Sequence, residues 1–96
     1  MEPDYEQMQM EAARLGIEAE AFLSSNLGRY LMERADLEID KLTQELINLD
    51  PTNIADNTRV RNGIRVCYDF KDWLAEAVNS GRVAHRNILE SEAIDQ

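Results

Sequence analysis

The sequence predicts an all-α fold, a long antiparallel helical hairpin flanked by shorter N- and C-terminal helices, in a single domain over residues 1–96. Three observations predict it. Helix-favouring residues dominate, and 4 Gly with 2 Pro leave little material for the turns of an all-β chain. Apolar residues recur at steps of three and four, the period of one helix face. Clusters of capping and breaking residues at Ser24-Ser25-Asn26, Asp50-Pro51 and Asn79-Ser80-Gly81 punctuate that pattern. With 44% apolar residues, a modest core can be buried.

The N-terminal helical segment is expected over residues 4–25. Asp4 is placed to cap it, and Glu6 adds a favourable charge in its first turn. Tyr5, Met8, Ala12 and Leu15 form its apolar stripe, and Gly16 is expected to loosen or bend the path. A first hairpin helix follows over 27–49, with the stripe Leu27, Leu31, Ala35, Ile39, Leu42, Leu46 and Leu49. Arg29–Glu33, Arg34–Glu38 and Lys41–Glu45 are i,i+4 pairs on its polar faces. Asp50 as cap and Pro51 as first residue start the second hairpin helix, 51–79.

That helix carries two adjacent apolar stripes. One is Val60, Ile64, Cys67, Phe70, Leu74 and Val78; the other is Gly63, Val66, Trp73 and Ala77. A face that wide is expected to touch two neighbours, and it places Trp73 in the core. Gly81 reads as a left-handed C-cap, with a final helix over 82–94 presenting Val83, Ile88 and Leu89. Hairpin helices of roughly 22–27 residues are about 33–40 Å long. That exceeds the need of one small globule, so part of the apolar surface is expected to be completed by another subunit.

The formal net charge is −9, unevenly spread. Residues 1–50 carry −8 of it, and residues 51–81 balance four acids against four bases. Such acidity disfavours direct nucleic-acid contact, which needs clustered Lys and Arg. No apolar run approaches the roughly 20 residues of a membrane span, and the acidic start resembles neither a secretory signal nor a transit peptide. The one cysteine, Cys67, cannot form an internal disulfide, and a reducing setting is the simplest reading.

No catalytic residue, metal site, cofactor or small-molecule substrate is expected. His85 and Cys67 lie on different predicted helices, too few and too far apart for a zinc site. Asp36 and Asp40 form a like-charge pair without a calcium loop around it. The candidate partner-binding residues are Tyr5 and Met8 near the N-terminus and the basic cluster Arg59, Arg61 and Arg65. Met-rich surfaces adapt readily to a partner. The three arginines oppose the dipole at a helix start, so they need either internal acids such as Glu45 and Asp50 or an acidic partner.

The string from Gly16 to Leu31, GIEAEAFLSSNLGRYL, joins Arg34-Ala35, Arg61-Asn62-Gly63-Ile64 and Asp72 to Val78, DWLAEAV, with Gly81. Together these resemble small helical proteins of tailed bacteriophages and prophages from the head-assembly and DNA-packaging region. The resemblance implies a non-enzymatic virion or morphogenesis protein, in the virion or the host cytoplasm. It would act by helix–helix association with itself and with other phage structural proteins at the portal, capsid or packaging machinery. Two alternatives are a small terminase-type recognition subunit and an acidic DNA mimic that inhibits a host enzyme.

Overall fold

In the computed structural model, which describes residues 4–94, the chain forms three α-helices and no strand among the described residues. They are α1 (Tyr5–Ser24), α2 (Asn26–Asn48) and α3 (Ile54–Ile94). The fold is all-α. The helices distribute over two compact units: one holds residues up to Ser25 together with Leu74 onward, the other Asn26–Trp73.

In the first unit, α1 begins as its sequence requires. The Glu6 N–H donates to Asp4 Oδ1 at 3.1 Å, capping the helix. The helix then passes through Gly16 without a break and ends at Ser25, whose N–H donates to the Phe22 carbonyl. Gly16 does not interrupt it. Gly16 and Gly81 are both buried, and each occupies the space that the other's side chain would need. A Cβ on Gly16 would stand 2.7 Å from Gly81 Cα, and one on Gly81 would stand 2.6 Å from Gly16 Cα. The two backbones therefore touch where both residues lack a side chain. Around that contact Arg82 Nε donates to Glu20 Oε1 at 2.9 Å. Ala19, Val78 and Ala84 are buried there.

This contact corrects two expectations. Asn79-Ser80-Gly81 does not stop a helix, and there is no separate helix over 82–94; α3 runs from Ile54 to Ile94. No glycine among the described residues has positive φ, so Gly81 is not a left-handed cap. It serves close helix–helix approach, a second use of a missing Cβ.

In the second unit, the connection from α2 to α3 is built locally. Asp50 Oδ1 accepts from the Thr52 N–H at 2.9 Å and from Thr52 Oγ1 at 2.8 Å. That pair of bonds is an Asx-type turn. It holds the Asp50 carboxyl below its ordinary value of 3.8, first through the backbone bond and then through the hydroxyl. The expected cap is corrected as a result. With Asp50 engaged in the turn, Asn53 caps α3 instead, its Oδ1 accepting from the Asp56 N–H at 3.2 Å. The Asn53 side-chain amide also donates, through Nδ2, to Asp56 Oδ2 at 2.8 Å, a side-chain bond that holds the cap in place. The helix thus starts at Ile54, three residues after Pro51.

Three contacts join α2 to α3 within this unit. Arg59 meets Glu45 at 2.7 Å, Leu42 stands over Gly63, and Lys71 meets Asp36 at 2.5 Å. Ala35, Ile39 and Val60 are buried, and Val60 is fully so. The stripe expected on α2 is at least half-buried from Leu31 to Leu49, but Leu27 is exposed. On α3 the stripe from Val60 to Val78 is buried or half-buried throughout.

The three tight glycines differ in what surrounds them. Gly81→Ala sets a methyl against backbone that cannot rotate away. Overpacking there falls at the upper end of about 1–3 kcal/mol and outweighs the roughly 1 kcal/mol of helix propensity gained. Urea denaturation followed by circular dichroism is expected to show net destabilisation of about 1–2 kcal/mol. Gly63→Ala meets only the tip of Leu42 at 2.9 Å. That side chain can move, so the same measurement is expected to give no loss or a gain of up to about 1 kcal/mol.

Asp50 titrates below its unfolded-state value, so its contribution is present above that value and lost as pH falls through the lowered one. The difference in Tm between wild type and Asp50→Ala is expected to be widest near neutral pH. It should narrow steadily below the ordinary aspartate range.

Candidate functional site: an acid-rimmed groove and an arginine stripe

On α1, Glu6, Met10, Ala13 and Ile17 step by four, three and four and so share a face. With Ile88 on α3 they line an open groove of about 710 Å³ within the first unit. Its floor is apolar, and Met10 and Ile17 are largely exposed in it. Its rim carries Asp4, Glu6, Glu18 and Glu92 against Arg14 alone. Asn87 Nδ2 reaches Gln9 Oε1 at 3.4 Å across it, tying the two walls.

Of the two N-terminal residues expected to bind a partner, Tyr5 lines this groove and Met8 does not, though both are exposed. Sequence reasoning passed over Ile17 because it lies off the Tyr5–Leu15 stripe. The signal was the seven-residue step from Met10 to Ile17 with Ala13 between them.

The basic cluster divides in two. Arg59 is held internally, by Glu45 at 2.7 Å and by Asp56 at 3.7 Å. The Glu45 hydrogen bond, followed by its charge, raises the guanidinium above its ordinary value. Lys71 is likewise raised, first by its hydrogen bond to Asp36. Arg61 and Arg65 are exposed and make no ion pair among the described residues. Ile54, Arg61, Arg65 and Tyr68 follow at steps of seven, four and three, so they form one exposed stripe along α3. Ile54 is 76% exposed at its end.

The expectation that Trp73 lies in the core is corrected: its side chain is 63% exposed, and Val66, one heptad earlier on the same face, is exposed equally. Within the second stripe of α3, Val66 and Trp73 are therefore left uncovered, whereas Gly63 and Ala77 are half-buried.

Among the described residues no polar or charged side chain is buried. No group of three or more His, Cys, Asp or Glu there is placed to hold a metal. His85 is exposed, and Cys67 is a half-buried free thiol. No helix of the described residues is long and apolar enough to cross a membrane. Comparison with protein-family models, curated proteins and solved structures gives no match.

Trp73 is the only tryptophan, so its fluorescence reports this face alone. In dilute solution its emission is expected near that of a hydrated indole, with efficient acrylamide quenching. Blue-shifted, protected emission would place it in a packed environment instead.

Proposed function

We propose that this chain is a non-enzymatic association protein that works in several copies through helix–helix contacts. On this reading the pair formed by α2 and the first half of α3 is an antiparallel hairpin whose outer faces are contact surfaces. The observation that carries the proposal is the balance of apolar burial. Among the described residues the buried side chains are mostly alanine and valine, while Met10, Ile17, Ile54, Val66 and Trp73 are exposed. A chain of this size covers its apolar surface poorly by itself. Large apolar side chains left outside in adjoining sets mark interaction faces.

Two further features support the reading. The described ionisable groups are exposed or half-buried, so the low-dielectric environment by which active sites shift acids and bases is missing around them. Acid gathers on the N-terminal half of the sequence while Arg61 and Arg65 stand without an ion partner among the described residues, a distribution suited to joining unlike surfaces. The resemblance to tailed-phage proteins of the head-assembly and packaging region supplies the setting. There the protein would serve as a virion or morphogenesis component, at the portal, capsid or packaging machinery.

Light scattering on the purified chain tests the association. The mass is expected to be a multiple of 11.0 kDa at micromolar concentration and to fall toward the single-chain value on dilution. A single-chain mass throughout would overturn self-association. Mass spectrometry of purified particles tests the setting. Detection in stoichiometric copy number supports a virion component, and capture with a host enzyme in place of virion proteins would favour the acidic inhibitor.

A further inference from the structure

The groove and the arginine stripe are complementary in three respects. The groove is apolar along its floor and acidic along its rim, with Asp4, Glu6, Glu18 and Glu92 against a single Arg14. The stripe is the converse: Arg61 and Arg65 carry charge without an ion partner among the described residues, and Ile54 and Tyr68 supply exposed apolar ends. Their lengths match. From Glu6 to Ile17 the groove's α1 wall runs about 17 Å, and from Ile54 to Tyr68 the stripe runs about 21 Å. Both are helical faces of three to four turns, the dimensions at which an amphipathic helix lies in a groove.

We infer that the occupant of the groove is the Ile54–Tyr68 stripe of a second copy of this chain. The inference rests on the self-association reading above and specifies its geometry. Apolar side chains of the stripe cover Met10 and Ile17, and Arg61 and Arg65 reach the carboxylates of the rim. The contact joins unlike surfaces, so each copy in a pair keeps either a groove or a stripe free for a further copy. Such a heterologous contact propagates until a ring closes or a filament forms. Charge complementarity across it also sets the partner, because two grooves or two stripes repel each other.

Two variants test the inference. Arg61→Glu with Arg65→Glu spoils the stripe; Met10→Gln with Ile17→Gln spoils the groove. All four positions are exposed, and the introduced residues are good helix formers. Both variants are therefore expected to keep wild-type helicity by circular dichroism. Each is expected to weaken self-association by about a hundredfold, through like-charge juxtaposition in the first and lost apolar cover in the second.

Mixing the two supplies the deciding measurement. The intact groove of the stripe variant can take the intact stripe of the groove variant, and growth then stops. An equimolar mixture should give a one-to-one dimer by light scattering, with neither variant assembling alone. If the mixture stays monomeric, the heterologous pairing is wrong. If wild type assembles and the groove variant assembles equally well, the groove belongs to another occupant; this inference falls while self-association stands. If wild type itself remains a single chain, both fall together.

Discussion

The contact of Gly16 with Gly81 is the constraint on which the first unit depends. Two helix backbones can approach this closely only where neither carries a Cβ. The approach brings Ala19, Val78 and Ala84 into a small core and sets the distance between α1 and α3 that the walls of the groove inherit. It also explains why α3 passes through a sequence that reads as a helix end. The cost of a glycine inside a helix, about 1 kcal/mol, is offset by packing that a larger residue would forbid.

The second unit is organised by different means. Its connection is fixed by local hydrogen bonds of Asp50, Thr52, Asn53 and Asp56. Its helix pair is aligned by Glu45–Arg59 and Asp36–Lys71 ion pairs on the exposed side. Exposed ion pairs contribute little stability but disfavour a shifted register, because a slip would set charges of one sign together. The apolar filling beneath them is thin, and the wide face of α3 exceeds what α2 covers. A unit built this way leaves large apolar side chains such as Ile54, Val66 and Trp73 outside a small core.

Much of this was legible in the sequence, and the exceptions share a cause. The stripe Leu31, Ala35, Ile39 and Leu42 and the cap at Asp4 follow from spacing and residue type, which are local. The Arg59–Glu45 pair was legible as one of two expectations for the basic cluster, which needed either internal acids or an acidic partner. Gly81 was misread because a glycine that ends a helix and one that admits a neighbour look alike in their own window; residue 16, far away in the chain, decides between them. Asp50 and Asn53 are both good caps, and the choice was made by Thr52, whose hydroxyl and N–H engage Asp50 first. Trp73 reads as core because large apolar residues usually lie inside, yet its side chain is left mostly exposed. The groove was half legible: its α1 wall has helical spacing, but Ile88 joins it only through the continuity of α3.

The dependence of the first unit on residues distant in sequence also orders events in time. The helices of the second unit are joined by a short turn, so their contacts close small loops and can form early. Residue 16 cannot meet residue 81 until the segment between them, residues 17–80, has been synthesised and has folded back. The acid-rimmed groove is therefore completed last, whereas the arginine stripe is available as soon as α3 begins to form. Under the pairing proposed above, a nascent chain would offer its stripe before its groove is complete, and the order of folding would set a direction for growth.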